Sequence, residues 1–499
     1  MKASPRTWSR ALSGLEFPPT GIPGYATCAS DTEGGATMPR FSTWSAAADV
    51  DDAPPPFQWQ GKLVVPVEFS RYELSLDLDM ATKSGIGRAR IDFSAALAGS
   101  PLLDMVPAAR RIEVDGHSIP VSGFPEVAPP DNQTPVRVLD VTLPPGPHQL
   151  LIEYDLGSDT VSFDNGGVQL ALFMSDLNER GYLERHAPSN LEFNQFPLTL
   201  NVSLAGASTP KLFTNGNATA SGNSWKVSFP SHFSTSSFFF HLSDRPFHVQ
   251  DDTFVGKEAQ IPLTAYGLQQ VDLPKAIATA KAVLAELEGT YGAYAHSRLT
   301  MYVTGDLGGG GMEYCGATMT SLRALPHEVL HSWFARGVMP ANGNAGWVDE
   351  GIARWRDFQY PTRQPDPDRE PTQLAGFSPY RRHTPRNAYT DGSMLFSELD
   401  HMFKQGGNGL RPVLAALYQR KKLQQITTEY LKSFLEDQTG RDLAPMFDRF
   451  VYGRAELDVL SPEAALQRRA ASDAIIQEYE ASAPPLPRGF TREELNALR

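Results

Sequence analysis

The sequence predicts a multidomain protein in which an all-β N-terminal domain, a saddle or a sandwich, precedes an α+β domain. Three observations support this prediction. The chain has 499 residues, more than one hydrophobic core usually serves. Apolar and polar residues alternate with a period of two in the first half, as in half-buried strands. After about residue 270, apolar residues recur every three or four positions, as on one face of a helix.

The N-terminal segment 1–60 differs in composition from the rest of the chain. It is rich in Gly, Pro, Ser, Ala and Thr and ends in an Ala-Pro-Pro-Pro run at 53–56. Such segments lack the apolar residues that a packed core needs. We therefore expect residues 1–60 to form a tail with little structure of its own.

Residues 61–250 are expected to form the β-rich N-terminal domain. In the clearest strand, Tyr72, Leu74 and Leu76 alternate with polar residues, which is the period-2 pattern of a strand with one buried face. Further short apolar runs follow, separated by turn residues. Many short strands of this kind are typical of an antiparallel sandwich or saddle.

Residues 251–460 are expected to form the α+β domain, and residues 461–499 a C-terminal extension. Pro274 suits the first turn of a helix that ends near Gly289, and 299–303 has the composition of a strand. Later helices are predicted from apolar spacing alone. They cover residues 326–336, 347–359, 392–404, 410–421, 427–437 and 443–451.

Composition and charge exclude several classes of protein. The formal net charge is −13, whereas nonspecific nucleic-acid binding needs a basic surface. Two cysteines cannot form a disulfide framework. No run of 18 apolar residues and no secretory signal is visible, so we expect no membrane partner and a cytoplasmic location.

The strongest chemical signal is the HExxH motif formed by His327, Glu328 and His331. Residues i and i+4 share one helix face, so both imidazoles can reach one ion, and imidazole suits Zn²⁺. Glu328 can reach a metal-bound water, which is the position of a general base. A catalytic zinc needs a third protein ligand, and Glu350 follows His331 with 18 residues between them. The motif therefore predicts one zinc ion held by His327, His331 and Glu350.

The motif and its distant glutamate resemble the gluzincins, specifically the family M1 zinc aminopeptidases, in a short form without the large C-terminal helical domain. The segment GGMEY at 310–314 resembles the family's GxMEN segment, and Tyr389 begins a segment that resembles its Tyr-x-Lys-Gly motif. The resemblance implies a saddle-shaped β domain followed by a thermolysin-like catalytic domain. It also implies that Glu313 binds the substrate's α-amine, that Glu184 is a second amine-binding residue, and that the Tyr389 hydroxyl stabilises the tetrahedral intermediate.

The chain also departs from the family pattern. Tyr314 replaces the Asn of GxMEN, and Asp391 replaces the Lys of the tyrosine motif. Two alternatives stay open at this point. Tyr380 could take the place of Tyr389, and Asp349 could serve either as a hydrogen-bond partner of a ligand histidine or as an ordinary helix N-terminal carboxylate.

The predicted function is hydrolysis of the N-terminal residue from peptides with a free N-terminus, by zinc-activated water. Two other functions would use the same zinc site. An endopeptidase or epoxide hydrolase would keep the three ligands and Glu328, and an endopeptidase would not need Glu313. A catalytically idle zinc-binding protein is the third possibility, although structural zinc sites are usually closed and rich in cysteine.

Overall fold

A computed structural model describes residues 52–454, apart from 130–134, 165–166, 176–180, 207, 269, 306–309 and 382. All of the described residues belong to a single compact unit. Most of the tail 1–60 and the whole extension 461–499 lie outside the described residues. Phe57, inside the predicted tail, already begins the first strand.

The first half of the described chain is built from short strands. They are Phe57–Trp59 (β1), Lys62–Asp79 (β2), Ser84–Ala95 (β3), Ser100–Leu103 (β4), Ala109–Val114 (β5), His117–Ile119 (β6), Glu126–Val127 (β7), Val136–Val138 (β8), Gly146–Asp155 (β9), Val161–Ser162 (β10), Gln169–Ala171 (β11), Leu198–Ala205 (β12), Lys211–Thr214 (β13), Asn217–Ser221 (β14), Ser224–Ser228 (β15) and Phe240–Ser243 (β16).

Among the described residues, these strands form two sheets. A 12-stranded sheet has the main order β14-β15-β12-β2-β3-β9-β5-β6, and a four-stranded sheet has the order β10-β11-β16-β13. The alternation predicted for Tyr72, Leu74 and Leu76 is the inward face of β2, and all three are buried. Most pairings are antiparallel, but β12 runs parallel to β2. A large β-rich first half, as expected, is confirmed.

The second half begins with a five-stranded sheet. Its strands are His248–Val255 (β17), Gln260–Gly267 (β18), Leu299–Val303 (β19), Gly311–Tyr314 (β20) and Ala317–Thr320 (β21). Their order is β17-β18-β19-β21-β20, so β20 lies at one edge of the sheet. Strand β17 spans residue 250, where the sequence places the domain boundary. A small two-stranded sheet pairs Val338–Pro340 (β22) with Gln424–Ile426 (β23).

Apart from α2, which is shorter than predicted, the described helices follow the predicted positions closely. They are Leu273–Tyr291 (α1), Leu325–Leu330 (α2), Trp347–Asp357 (α3), Thr390–Lys404 (α4), Leu410–Lys421 (α5), Thr428–Thr439 (α6) and Ala444–Phe450 (α7). The Asp272 side chain caps α1 by accepting a hydrogen bond from the Lys275 N–H at 3.0 Å. No helix among these combines the length and apolar character that a membrane span requires.

The five-stranded sheet separates two hydrophobic cores; its strands β19, β20 and β21 are buried, whereas β17 is mostly exposed. Tyr266 and Tyr302 face the core of the β-rich half. Leu263 and Met301, on the opposite face, join a core formed with the helices. The two halves therefore share a sheet, and the edge strand β20 is brought beside helix α2.

Candidate metal centre and active site

Helix α2 carries the HExxH motif and is shorter than predicted. It ends at Leu330, and His331 forms its C-terminal cap, whereas the apolar spacing predicts a helix to residue 336. The chain then turns back, because the Arg336 N–H donates to the His331 carbonyl at 2.8 Å and Ala335 has a φ of 126°. The turn sends the Arg336 side chain inward, where it meets Glu313.

The three predicted metal ligands converge. Glu350 lies in the first turn of α3, and its Oε2 is 3.1 Å from His327 Nε2 and 3.6 Å from His331 Nε2. All three side chains are buried, and their ligand atoms lie within 4.8 Å of one another. Two imidazoles and one carboxylate form a donor set that suits zinc. The buried His-His-Glu group is therefore compatible with a zinc ion.

Each ligand is held by a further hydrogen bond. The outer nitrogen of His327, Nδ1, lies 2.7 Å from Asp357 Oδ2, and His331 Nδ1 lies 3.0 Å from the Phe334 carbonyl. Tyr389 donates its hydroxyl proton to Glu350 Oε1 at 2.7 Å. These bonds leave both Nε2 atoms and one Glu350 oxygen directed at the same point.

The carboxylates also set the protonation of the ligands. Burial disfavours the imidazolium form of His327, but Asp357 and Glu350 raise its pKa well above the ordinary value. For Glu350, burial favours the neutral acid, yet the two histidines and the Tyr389 hydroxyl lower its pKa. The cost of burying charge on each ligand is thus offset by its oppositely charged neighbours.

Glu328 lies beside the metal ligands on the side of strand β20. A carboxylate oxygen of Glu328 lies within 4.8 Å of a Glu313 oxygen and a His331 nitrogen. Strand β20 passes so close that a Cβ built on Gly311 would lie 2.1 Å from Glu328 Oε1. Only glycine at position 311 leaves Glu328 in this place.

Glu313 is buried near the metal ligands and is engaged in an ion pair. Its Oε1 accepts a hydrogen bond from Arg336 Nη2 at 2.9 Å, and Arg336 Nη1 donates to Ser236 Oγ at 2.7 Å. Burial opposes the charge of Arg336, but Glu313 raises its pKa further above the usual range. The predicted amine-binding carboxylate therefore shares its charge with a guanidinium.

The other candidates fall in different places. Glu184 is buried in a single 3-10 turn, Leu183–Arg185, where its Oε1 accepts from the Tyr182 N–H at 3.2 Å. It does not line the small cavity beside Glu313, whereas Tyr182 and Glu192 do. Glu192 and Asp349 are the other two carboxylates that line this cavity with Glu313.

Hydrogen bonds distinguish Tyr380 from Tyr389 and show which partner Asp349 has. Tyr380 donates to the Pro55 carbonyl, while Tyr389 is bonded to a metal ligand. Asp349 accepts the Glu350 N–H at 2.9 Å, as a carboxylate in a first helical turn does. Asp357, not Asp349, contacts the ligand His327.

Sequence reasoning missed three residues near the centre: Arg336, Asp357 and Glu192. One signal was present for Asp357, which follows Glu350 by seven residues and so returns to the same helix face. Arg336 and Glu192 reach the centre only through long-range packing, and nothing in their local sequence indicates it.

The chain matches no family model and no curated protein sequence. Solved structures do match. Legionella pneumophila aminopeptidase A, in complex with aspartic acid, aligns with a TM-score of 0.57 and 14% identity over 78% of this chain. The alignment covers 49% of that protein, so this chain spans about half its length.

Two further solved structures are similar. A mutant M1 zinc metallopeptidase from Deinococcus radiodurans, bound to a Tyr-Ser-Ala substrate, aligns with a TM-score of 0.53 and 15% identity, covering 79% of this chain and 96% of that one. Yeast LTA4 hydrolase aligns with a TM-score of 0.52 and 14% identity, covering 82% and 71%. The resemblance predicted from the zinc motif is thus confirmed, and the chain has the fold of the M1 zinc metallopeptidases.

Proposed function

We propose that this protein is a zinc-dependent aminopeptidase that removes the N-terminal residue from peptides with a free N-terminus. One observation carries the proposal. Glu328 and Glu313 lie together beside His331, which is also one of three buried, converging metal-ligand side chains. A base and an acidic group next to a metal position are what this hydrolysis requires.

His327, His331 and Glu350 would hold the zinc ion, which when bound supplies a Lewis acid and an acidified water. Glu328 is placed to take a proton from that water and pass it to the leaving amine. The Tyr389 hydroxyl lies next to the ligand Glu350, where it can orient that carboxylate and donate to a developing oxyanion.

Glu313 would receive the substrate's α-ammonium. Glu192 and Asp349 line the same cavity, and Glu184 stays the predicted second amine-binding residue. Arg336 engages only Oε1 of Glu313 among the side-chain oxygens, so Oε2 keeps its capacity to accept from an ammonium group. A blocked N-terminus would bring no ammonium group to Glu313 Oε2 and would leave that buried oxygen unpaired, so acylated substrates should be rejected.

The proposal is tested with Glu313→Gln and a mixed set of peptides. The carboxamide keeps the size of the side chain but loses the charge, so release of N-terminal residues should fall at least tenfold, mainly through a higher KM. Mass spectrometry of the products identifies which bond is cut. Internal cleavage that is unchanged in the variant would contradict the proposal.

An endopeptidase or epoxide hydrolase on the same zinc site is the second candidate. The ion pair between Glu313 and Arg336 favours it, because a carboxylate already paired with a guanidinium attracts an ammonium group less strongly. The likeness to yeast LTA4 hydrolase is compatible with it as well. Endopeptidase activity would survive Glu313→Gln, whereas an idle zinc-binding protein would cleave none of these substrates.

A further inference from the structure

We propose that Asp357 is a positioning residue for the zinc ligand His327 and sets the zinc affinity of the site. The inference rests on the proposed function, because it assumes that the three converging side chains hold zinc. Its observation is the 2.7 Å contact between Asp357 Oδ2 and His327 Nδ1, with both side chains nearly buried.

This contact determines which nitrogen of His327 faces the metal. A carboxylate only accepts, so Nδ1 must carry the proton it donates to Asp357. In the neutral imidazole, the form that binds a metal, the lone pair is then on Nε2, the atom that lies 3.1 Å from Glu350 Oε2. A charged acceptor also makes the imidazole a stronger ligand.

The two ligand histidines are not held in the same way. His331 donates to the backbone carbonyl of Phe334, which no substitution can remove. His327 alone has a side chain with a full charge as its partner. A substitution at Asp357 can therefore change the zinc affinity of the site, whereas the backbone partner of His331 is the same for any side chain.

The position of Asp357 in helix α3 supports a role in the metal site, because a carboxylate there does not stabilise the helix. It is the last residue of α3, and the helix dipole disfavours a negative charge at a C-terminus. Nearby guanidinium groups offset that cost, with Arg354 Nη1 at 3.9 Å and Arg356 Nη1 at 3.8 Å. Arg356 is anchored in turn by an ion pair with Glu286 of α1.

Helix α3 therefore contributes two residues to the metal site. Glu350 and Asp357 are seven residues apart, which is two turns on one face. The first residue supplies a ligand, and the second orients another ligand that belongs to α2. The helix therefore aligns two of the three ligands with each other.

The test measures zinc affinity directly, without a substrate. Metal-free wild type, Asp357→Asn and Asp357→Ala are titrated with zinc against a chromophoric chelator at one fixed pH. Loss of an outer hydrogen-bond partner typically weakens metal binding about 10- to 100-fold. We expect Asp357→Ala to fall in this range and Asp357→Asn, which keeps an acceptor oxygen, to lose less.

Asp400→Asn is the matched control, since Asp400 is also buried but holds the Leu410 N–H of α5 at 2.9 Å. It should bind zinc like the wild type. Circular dichroism of the metal-free protein shows whether each variant folds. If Asp357→Ala does not fold, the comparison is made with Asp357→Asn alone. Zinc affinity of both Asp357 variants within twofold of wild type would overturn the inference, whereas a wild type that binds no zinc would overturn the proposed function instead.

Discussion

Glu328 is the residue on which the proposed reaction depends most directly. It contacts no metal in the proposed arrangement, so Glu328→Gln should remove the general base and leave the ligands intact. Loss of such a base typically costs about 10²- to 10⁴-fold in rate. We expect a fall of this size in kcat, with the zinc content measured by elemental analysis unchanged. Activity within tenfold of wild type would rule out this role for Glu328.

The buried carboxyl group of Glu398, which is not part of the metal site, should make the stability of the protein depend on pH. It is fully buried in α4 beside Arg369, with Arg369 Nη2 at 3.0 Å from Glu398 Oε2. Burial raises the pKa of Glu398 to about 7, although Arg369 and Arg363 oppose the shift. The folded protein therefore keeps a proton that the unfolded chain releases, so this group's contribution to stability falls as the pH rises from about 4.5 through 7.

Glu398→Gln should flatten that part of the stability profile, because the amide cannot ionise. Urea unfolding of both proteins between pH 5 and pH 8 measures the effect. The wild type should lose up to about 3 kcal/mol more than the variant across this range. Parallel pH profiles would show that Glu398 does not titrate as described.

At the residue scale, the sequence predicts the metal ligands because their spacing is a local property. His327 and His331 must share a helix face, and Glu350 needs only a returning helix. Of their partners, Asp357 has a spacing signal seven residues after Glu350, whereas Arg336 is defined by tertiary contacts that spacing does not reveal. The family resemblance predicts Glu184 as an amine-binding residue, which stays a prediction; Glu192 and Asp349, which line the cavity beside Glu313, have no such signal.

At the element scale, the close approach of α3 and α4 positions Glu350 against Tyr389. Gly351 and Gly392 face each other, and a Cβ built on Gly351 would lie 2.9 Å from the Phe396 ring and 3.1 Å from the Gly392 backbone. Gly351→Ala should therefore destabilise the protein by about 1–3 kcal/mol through overpacking. Calorimetry or urea unfolding measures this loss.

Gly289 in α1 is the control for that substitution, because no described atom outside its own stretch of helix lies within 4 Å of a Cβ built there. Gly289→Ala should stabilise the protein by about 0.5–1 kcal/mol, since alanine is the better helix former. Equal effects at the two glycines would contradict the packing argument.

The same scale explains where helix prediction succeeds and where it fails. Apolar spacing places α4, α5 and α6 within two residues of their observed ends. It overextends α2 by about six residues, because the turn after His331 is set by the bonds that draw Arg336 toward Glu313. That ion pair joins residues 23 positions apart and leaves no periodic signal.

At the scale of the whole molecule, the sequence predicts a β-rich half and a helical half but not how the strands pair. Strands β2 and β12 lie side by side although more than a hundred residues separate them. Such pairings depend on the complete sheet, not on local propensity. The shared five-stranded sheet, in which β19, β20 and β21 are buried, likewise has no signature in either half alone.

A zinc ion held between α2 and α3 should stabilise the molecule as a whole. A ligand that binds only the folded state adds about 4 kcal/mol when its free concentration is about a thousand times Kd. A strong chelator should therefore lower the Tm, and added zinc should restore it. The His327→Ala variant should show neither response, and a wild type that is equally indifferent would contradict a bound zinc.

The central claim is that this metal centre cleaves peptides only next to a free N-terminus. The most direct test compares a panel of aminoacyl-arylamides with their N-acetylated counterparts, before and after a chelator and again after zinc is restored. We predict zinc-dependent cleavage of the free-amine substrates and none of the acetylated ones. Cleavage of both sets at similar rates would contradict the account.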